Sequence, residues 1–380
     1  MKKVLAFFKK ELMLTLALAA ALISCFITPP SLARIAALDW RTLGTLFMML
    51  CVLEGFKQEN ILHPIVLLST RFQTMAGLSL FLIFGVFFSS MFVTNDVSLI
   101  IFVPLTILLF KGGREQYILP VISMENIAAI RGSLLMPFGS PQNLFLYGQS
   151  GVSVGHFMLH MAPLCVMSAV LLVLFVLFLY RKEPKLKAAA AAQAVSRQWE
   201  PARKKSRLLY LGFFLLVLSV IVSRTPYWYI ALVIVFGAVA LFDRSLLKKV
   251  DYVLIVTFFC FFFFSSAIAA NESIAAFLRK AVAGNEYWWS IGLSQLISNV
   301  PASIVLYPFS ENFAGLIYGA DTAGLCSLIG SLASVINYRL YVREYPGQGG
   351  RFVRVFTLIS WAFFAIVVIP GLLLSHWPFF

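Results

Sequence analysis

Long apolar runs separated by short polar segments are the feature that most constrains this chain. Several of these runs reach the ~20 residues that a helix needs to cross about 30 Å of hydrocarbon. Short strands of alternating polarity, which build membrane β-barrels, do not occur in them. Hydrophobic residues make up 61% of the chain and charged residues 12%, whereas a soluble domain carries roughly 25% charged residues. The sequence therefore predicts an all-α polytopic membrane protein and excludes a water-soluble globule.

The apolar runs predict nine crossings and two segments that fold back. The crossings are expected at 11–28, 40–56, 115–149 (interrupted), 156–180, 208–223, 227–242, 251–270, 320–342 and 353–375. Residues 74–110 and 287–310 are apolar stretches broken in the middle by polar residues, which predicts two re-entrant helical hairpins. Residues 271–281 are expected to form an amphipathic helix at the membrane interface.

The formal net charge is +14, but the basic residues cluster between the apolar runs rather than along one face. This distribution follows the positive-inside rule, in which Lys and Arg stay on the cytoplasmic side, and it argues against nucleic-acid binding. It places the N-terminus inside and the C-terminus outside, although Arg279 and Lys280 depart from the rule. The run 12–27 resembles a secretory signal, but no A-x-A cleavage site follows it, so a retained first helix is expected.

Motifs of the common enzyme and metal sites are missing from the sequence. GxSxG, P-loop, paired-aspartate and HExxH patterns do not occur, which argues against a hydrolase, a prenyltransferase or an ATP-driven pump. His156 and His160 have the i, i+4 spacing of two metal ligands but no third ligand nearby, so we expect an interfacial pair and no transition metal. The five cysteines lie in apolar segments without a CxxC pair, which argues against a disulfide framework or a structural zinc site.

Three pairs of segments recur in the same order in the two halves of the chain. DWRTLGT, from Asp39, matches DYVLIVT, from Asp251, and TNDVSLIIFVP, from Thr94, matches SNVPASIVLYP, from Ser298. SLLMPFGSPQNLFLY matches SLIGSLASVINYRLY further along each half. The paired residues are Thr45 with Thr257, Asn95 with Asn299, Pro104 with Pro308, Ser140 with Ser334, Asn143 with Asn337 and Tyr147 with Tyr341. Because the first unit begins outside and the second inside, the sequence predicts inverted repeats, with which many transporters build a site at mid-membrane.

The repeats and the charge pattern divide the chain into five parts. These are an N-terminal transmembrane helix (1–38), a first repeat with its hairpin around 74–110 (39–180), a cytoplasmic basic linker (181–207), two scaffold helices (208–250) and a second repeat with its hairpin around 287–310 (251–380). The linker is the one long polar segment, and a solvated connection between the halves is its simplest role.

The polar centre of each hairpin is the first candidate site. Thr94 and Asn95 interrupt the first apolar stretch, and Ser298 and Asn299 interrupt the second. At an unwound turn the carbonyls that end one arm and the amides that start the next lose their helical partners. The freed carbonyls and the Asn, Thr or Ser oxygens suit a hard cation such as sodium, and the amides suit an anion. Pro301 fits the start of the second arm, where proline is tolerated.

Two charged residues beside these turns have alternative interpretations. Asp96 is the one carboxylate at a hairpin centre, since Val300 occupies the matching position, so it either binds a cation or proton or caps the second arm. Arg131 either contacts an anionic substrate or pairs with Glu125.

A second pair of motifs predicts helix breaks that face the hairpins. Two prolines and a glycine within residues 137–141 cannot continue a regular helix, and residues 331–334 are the matching segment in the second half. Open backbone at such breaks requires surrounding protein or a water-lined cavity. The residues expected to line that cavity are Pro137, Gly139, Ser140, Asn143, Ser334 and Asn337.

The hairpin and break motifs resemble those of bacterial anion permeases of the ion-transporter superfamily. That group includes citrate and dicarboxylate carriers, arsenite-efflux permeases and a sodium/proton antiporter family. The resemblance covers essentially the whole chain and is carried by residues 87–104, 132–147, 294–306 and 327–341. It implies re-entrant hairpins, inverted repeats and a homodimer whose transport domains move against a scaffold by an elevator mechanism.

The resemblance also implies roles for particular residues. Thr94, Asn95, Ser298 and Asn299 would contact substrate or sodium, and Gly139, Ser140, Asn143 and Ser334 would line the same site. Two positions depart from the family pattern, because related sequences often carry Asn before the glycine and serine of the first break and Thr before its proline. This chain has Ile130-Arg131 and Met136 there, which leaves sodium coupling open and favours an anion attracted by Arg131.

The sequence thus predicts a secondary active transporter for an anion in a bacterial inner membrane, with sodium or protons as coupling ion and no other cofactor. A cation/proton antiporter with Asp96 as its titrating group is the first alternative, and an arsenite-efflux permease is the second. A membrane-embedded enzyme or a receptor would need an exposed nucleophile or a soluble module, and the sequence offers neither.

Overall fold

The computed structural model describes residues 11–59, 61, 68–111, 114–183, 186 and 204–377, and helices dominate this part of the chain. The predicted all-α class is confirmed. Most of the predicted linker 181–207 lies outside the described residues. The helices are α1 (Leu12–Ile27), α2 (Leu32–Ala36), α3 (Trp40–Gln58), α4 (Met75–Val93), α5 (Asn95–Phe110), α6 (Ile118–Ser133), α7 (Pro141–Ser150), α8 (Val154–Leu179), α9 (Lys204–Ser223), α10 (Trp228–Phe242), α11 (Arg244–Leu247), α12 (Tyr252–Ala269), α13 (Glu272–Val282), α14 (Glu286–Ile297), α15 (Asn299–Leu306), α16 (Phe313–Ala323), α17 (Leu332–Glu344) and α18 (Gly349–Ser375).

The first matched pair of motifs starts two helices in the same way. The Asp39 carboxylate accepts a hydrogen bond from Thr42 N (2.9 Å) and begins α3. The Asp251 carboxylate accepts from Leu254 N (3.0 Å) and begins α12. An aspartate that accepts from the third residue of a helix satisfies one of its free amides. The sequence match therefore reflects the same N-cap in both halves.

Two helices are broken, the first where residues 137–141 predicted a break and the second between Ala323 and Leu332, whereas the predicted segment 331–334 lies mostly inside α17. The first runs as α6 to Ser133 and resumes as α7 at Pro141, and the second runs as α16 to Ala323 and resumes as α17 at Leu332. The predicted span 320–342 starts too late, because Asn312 caps α16 by accepting from Gly315 N (2.8 Å). The residues that begin α16, from Phe313 to Tyr318, are apolar, so the prediction missed this start although the hydropathy there suits a helix.

The breaks align the two halves differently from the sequence comparison. Gly139 and Gly330 each lie against the last carbonyl of the preceding helix, Ser133 O and Ala323 O, where a Cβ atom has no room. The serine that follows each glycine is the N-cap of the next helix. Ser140 therefore corresponds to Ser331, and the predicted pairing of Ser140 with Ser334 is wrong by three residues. Serine, asparagine and tyrosine recur in both segments at the same spacing, and aligning them shifted the sequence match by about one helical turn.

Both predicted hairpins are pairs of helices joined by a single residue. Thr94 joins α4 to α5, and Ser298 joins α14 to α15. Each first arm packs on the first half of the broken helix of its own repeat, α4 on α6 and α14 on α16. Each second arm also reaches the second half of the other broken helix, α5 on α17 and α15 on α7. The matched contacts support an internal repeat, and its inversion across a membrane stays a prediction.

A second layer of helices surrounds α3 and forms the candidate scaffold. Helix α3 packs against α9, α10 and α12, and α12 packs against α1. Trp40 lies 5.9 Å from Phe259, and Phe47 lies 6.3 Å from Tyr252, measured between ring centroids. The later residue of α3 contacts the earlier residue of α12, so the two helices are antiparallel. The predicted scaffold segment 208–250 corresponds to α9, α10 and α11.

Several described helices are suited to a membrane. Five are long and apolar enough to cross one, by length and composition, namely α4, α8, α12, α18 and the Ser206–Ser223 part of α9. The predicted amphipathic segment 271–281 is helix α13, in which Ala275 and Val282 are the buried residues. The nine-crossing topology and the interfacial position of α13 stay predictions.

Gly132 sets the close packing of α4 against α6. A Cβ atom there would collide with the backbone oxygen of Phe87 and lie 2.5 Å from Ser90 Oγ. We expect Gly132→Ala to lower the free energy of unfolding by about 1–3 kcal/mol, the usual cost of forcing extra atoms into a packed core. Thermal unfolding in detergent measures this cost. Gly237→Ala is the matched control, because nothing lies within 4 Å of its Cβ position, and an equal loss in both variants would contradict the prediction.

Candidate functional site

The residues that join the two hairpins share one unusual backbone conformation. Thr94 has φ 67° and ψ 158°, and Ser298 has φ 69° and ψ 158°. This region of φ/ψ space is essentially reserved for glycine, and other residues in it store of order 1–3 kcal/mol of strain. Among the described non-glycine residues, only Arg224 also has a positive φ. Two strained residues at matched positions indicate that the surrounding structure maintains both turns.

The tip of the second hairpin is anchored on the second helix break. Asn299 N donates to Gly330 O (3.2 Å), and Asn299 Nδ2 donates to Ala320 O (3.2 Å). These carbonyls lie at and beside the break, where helical partners are lost. Ser298 Oγ, in the preceding residue, is buried and has no hydrogen-bond partner among the described residues. The structure thus brings the predicted residues Ser298 and Asn299 to the predicted break.

The tip of the first hairpin is held differently. Asn95 is 5% exposed, and its Oδ1 accepts from Asp96 N (3.0 Å). In the described part of the chain, no hydrogen bond joins Asn95 to the first break. Ser98 Oγ donates instead to Thr94 O (3.0 Å), within the same hairpin. The two tips are therefore matched in backbone conformation but not in their contacts.

Asp96 follows this tip in the first turn of α5. Thr94 occupies the N-cap position of α5. The predicted alternative in which Asp96 caps this helix is therefore wrong. Asp96 Oδ1 is buried without a hydrogen-bond partner among the described residues. A carboxylate oxygen that lacks a donor is suited to a cation or a proton.

Asn143 closes the first break. Its Nδ2 donates to Ser133 O (3.1 Å) and to Leu134 O (3.4 Å), two carbonyls freed where α6 ends. Its backbone amide donates to Ser140 Oγ (3.4 Å), the cap of α7. The predicted residues Ser140 and Asn143 therefore lie together, with Pro137 in the loop between the helices. Asn143 Oδ1 remains buried without a partner.

The polar residues of α17 contact α6 of the other half as well as the break of their own half. Asn126 Nδ2 donates to Ser334 Oγ (3.0 Å), and Asn337 Nδ2 donates to Ile122 O (2.6 Å). Ser334 Oγ in turn donates to Gly324 O at the second break (3.4 Å). The predicted residues Ser334 and Asn337 thereby link the second break to the first broken helix, through Asn126, which was not predicted.

Arg131 is fully buried and lies against α16. Its Nη1 forms an ion pair with Asp321 Oδ2, and its Nη2 donates to Thr322 Oγ1 (3.4 Å). The predicted alternative in which Arg131 pairs with Glu125 is wrong. Residues six positions apart lie on different faces of a helix, so Glu125 points elsewhere. An anion contact by Arg131 stays a prediction, although Asp321 neutralises its charge in this conformation.

Glu125 lies in the same helix, also with 0% exposure. Its Oε1 accepts a hydrogen bond from Thr106 Oγ1 on α5, and its Oε2 has no partner among the described residues. An ionisable residue inside a membrane segment is a functional candidate by default. Asp321, Glu125 and Asn126 are polar residues that interrupt apolar segments, so the sequence could have indicated each of them as a candidate. Their hydrogen-bond partners could be found only from the tertiary structure.

The two predicted histidines lie in the first two turns of α8 in different environments, and their interfacial position stays a prediction. His156 is exposed at the start of α8, whereas His160 is 6% exposed. Its Nδ1 lies 3.2 Å from Tyr318 Oη, and its Nε2 lies 3.1 Å from Trp377 O. It joins α8 to α16 and to the end of α18. Within the described residues no group of three His, Cys, Asp or Glu side chains is placed to hold a metal ion, and all five cysteines are free.

The hairpin tips and helix breaks together offer two kinds of chemistry. Helices α5, α7, α15 and α17 begin at a tip or a break, and the N-terminus of a helix attracts anions. Buried oxygen atoms without partners are suited to a hard cation or to a proton. They belong to Asp96, Glu125, Asn126, Asn143, Ser298 and Asn337.

Comparison with known proteins assigns the chain to a family. The citrate transporter family matches residues 3–330, which include both hairpins and the first helix break. The chain is 31% identical over 313 residues to the inner membrane protein YbiR of Escherichia coli, a match that covers 80% of this chain and 81% of that protein. It is 28% identical over 304 residues to the uncharacterized transporter MJ0456 of Methanocaldococcus jannaschii, again covering 80% and 81%. The chain is therefore a multi-pass membrane transporter that belongs to the citrate transporter family.

Proposed function

We propose that the chain is a secondary active transporter for a di- or tricarboxylate-like anion, coupled to sodium or protons, in a bacterial inner membrane. The observation that carries this proposal is the pair of hairpin turns at Thr94 and Ser298, which share one strained conformation and each follow a helix that packs on a broken helix. The name of the family and the name of the Escherichia coli relative support the substrate class and the membrane.

The helix N-termini at these turns and breaks support an anionic substrate. Helices α7 and α17 begin at Ser140 and Ser331, and α5 and α15 begin at the two tips. The positive dipole ends of these helices attract carboxylates without a full positive charge. Such a site does not require Arg131, whose guanidinium already binds Asp321. Oxygen atoms of Asn95 and Asn299 remain the proposed sodium ligands.

The positions of the hairpins along the scaffold support an elevator mechanism, and a homodimer is the assembly that we propose for it. Asp96, at the first tip, lies within range of the charges of Lys57 at the end of α3 and Asp251 at the start of α12. Ser265 Oγ, near the other end of α12, donates to Ile304 O in the second hairpin (2.9 Å). The two hairpins thus lie toward opposite ends of the scaffold. A sliding movement of the hairpins and broken helices along the scaffold would change both positions.

One observation favours a second candidate function, a sodium/proton antiporter. Asp96 Oδ1 lies at the first tip without a partner, where a carboxylate would exchange one cation for another. The two functions differ in their need for an organic anion. An antiporter exchanges sodium for protons in the absence of any organic anion, whereas the proposed transporter moves the cation together with its anionic substrate. An arsenite-efflux permease is distinguished by its substrate.

The test begins with purified protein and a screen of thermal unfolding with citrate, malate, succinate, arsenite and sodium. A ligand present at 100 times its dissociation constant stabilises the folded state by about 2.7 kcal/mol. We expect a carboxylate to give such a shift and arsenite to give none. Proteoliposomes are then loaded so that a sodium gradient, a proton gradient or neither is present. Uptake of the stabilising carboxylate should require one of the gradients.

Two outcomes would overturn the proposal. Stabilisation by sodium alone, with proton flux in liposomes that contain no organic anion, would establish the antiporter. Stabilisation by arsenite, with arsenite transport, would establish the efflux permease. The Gly237→Ala variant, which lies on α10 away from both hairpins, is the matched control for protein quality.

A further inference from the structure

A polar junction is buried where α5, α6 and α17 meet. Each of these three helices packs against the other two. Glu125 and Asn126 lie three and four positions after Ile122, so all three residues share one face of α6. The Glu125 junction consists of Thr106 on α5, Ile122, Glu125 and Asn126 on α6, and Ser334 and Asn337 on α17.

The hydrogen bonds of the junction fix the orientation of both asparagine amides. Ile122 O is a carbonyl and can only accept, so the atom of Asn337 that faces it must be Nδ2. Ser334 Oγ donates its proton to Gly324 O, so it accepts from Asn126, which must present Nδ2. The other atom of each amide is therefore an oxygen. Asn126 Oδ1 and Asn337 Oδ1 are both buried acceptors, and neither has a donor in the part of the chain that the structure describes.

Glu125 adds two acceptor atoms on the face of α6 that also carries Ile122 and Asn126. Its side chain has 0% exposure, Oε1 accepts from Thr106, and Oε2 has no partner among the described residues. If Glu125 were ionised, its oxygens and those of the two asparagines would all be acceptors. A buried carboxylate without a cation keeps its desolvation cost. One proton on Oε2 removes the charge and supplies the donor that an asparagine oxygen lacks.

In the described part of the chain, no ion pair joins Glu125 to the helices packed on α6. Helix α4 contains no titratable residue, Asp96 lies at the opposite end of α5, and Lys111 after that helix pairs with Glu344. Arg131 is occupied by Asp321. The remaining titratable residues on the packed elements are His156, His160 and Cys165 on α8, Arg339, Arg343, Glu344, Tyr338 and Tyr341 on α17, Arg351 and Arg354 on α18, and Glu115 and Tyr117 before α6.

We propose that Glu125 is a proton-binding site of this transporter and that its protonated Oε2 donates to Asn126 Oδ1 or Asn337 Oδ1. The step breaks an O–H bond of a hydronium ion, forms the O–H bond on Oε2, releases one water molecule and changes the carboxylate from charge −1 to neutral. The inference rests on the proposed function and names the proton as a coupling ion. It places that ion outside the hairpin tips.

The junction connects this proton to the substrate site. Ser334 binds Gly324 O at the second break, and the same break holds Asn299 through Gly330 O. The protonated acid holds α17 against α6, because it donates to an amide that is anchored on both helices. Loss of the proton leaves a charge that favours separation of α6 from α17 and access of water. Proton binding and the geometry of the second break therefore change together.

The first test needs no transport substrate. Infrared difference spectra of the full-length protein between acidic and alkaline buffer report the carbonyl stretch of protonated carboxyl groups. We expect the wild type to show such a band, Glu125→Gln to lose it, and Asp96→Asn to keep it. Thr106→Val should shift the band, because the carbonyl loses the hydrogen bond from Thr106 Oγ1. A band that is absent in the wild type, or unchanged in both Glu125→Gln and Thr106→Val, overturns the assignment.

Sodium and transport provide two further outcomes. If sodium at constant pH abolishes the band in the wild type, sodium occupies the junction and the proton assignment is overturned. In proteoliposomes, Glu125→Gln should lower the ratio of proton-driven citrate accumulation to citrate exchange by about tenfold, within the usual range of coupling between two ligands. An unchanged ratio refutes the role of Glu125 and leaves the proposed function intact. Absence of citrate transport by the wild type refutes citrate as the substrate. The infrared spectra test the Glu125 assignment independently of that result.

Discussion

Arg131→Ala is expected to lower the free energy of unfolding by about 3–5 kcal/mol, because it leaves Asp321 as a buried charge without its partner. Both side chains are almost completely inaccessible, at 0% and 1%. Most of this loss comes from leaving Asp321 unpaired rather than from the lost attraction itself, because an unpaired ion in a low-dielectric interior keeps its full desolvation cost. Thermal unfolding of the purified protein in detergent, together with its yield from membranes, measures the effect.

Replacing both members of the pair is expected to be much milder. The double variant Arg131→Leu with Asp321→Leu contains no buried charge, and such replacements are often neutral or stabilising. Lys111→Ala is the matched control, because the ion pair of Lys111 with Glu344 is exposed and such pairs contribute about 0–1 kcal/mol. If Arg131→Ala and Lys111→Ala unfolded at the same temperature, buried charge would not determine the stability of this region. If the double variant transported citrate normally, an anion contact by Arg131 would be excluded.

Asn95→Ala and Asn299→Ala are each expected to abolish citrate uptake while folded protein remains in the membrane. Each asparagine is the first residue of the second helix of its hairpin and directly follows the strained residue. Asn299 also holds its tip on the second break, so its variant should lose about a further 1 kcal/mol of stability, the usual net value of a hydrogen bond. Uptake in proteoliposomes and thermal unfolding of the same preparations separate the two effects.

Asn285→Ala is the matched control within the second hairpin. Asn285 is exposed, and its side chain makes no capping hydrogen bond to α14. We expect its uptake and stability to equal those of the wild type. Full uptake by both Asn95→Ala and Asn299→Ala would remove the hairpin tips from the substrate site. Loss of uptake in Asn285→Ala as well would show that the assay reports general damage to the hairpin.

Local chemistry determined most of the secondary structure. The hairpin joints at Thr94 and Ser298 and the break at Pro137 to Pro141 were predictable, because polar residues or prolines within apolar runs interrupt helices wherever they occur. The caps at Asp39 and Asp251 also obey a local rule, although the sequence comparison recognised them only as matching segments. The start of α16 was missed even though its cap, Asn312, precedes an apolar run.

Contacts between helices were decided only by the tertiary structure. The sequence placed Arg131 near Glu125 along the chain, but α6 directs the two side chains to different neighbours, Asp321 on α16 and Thr106 on α5. The link from Asn126 to Ser334 likewise depends on the packing of α17 on α6. Hydropathy and turn chemistry act over a few neighbouring residues, so one sequence determines where helices begin, bend and end. Which buried polar groups satisfy one another depends on the rotation and depth of each helix against the others, and only the packed fold fixes those.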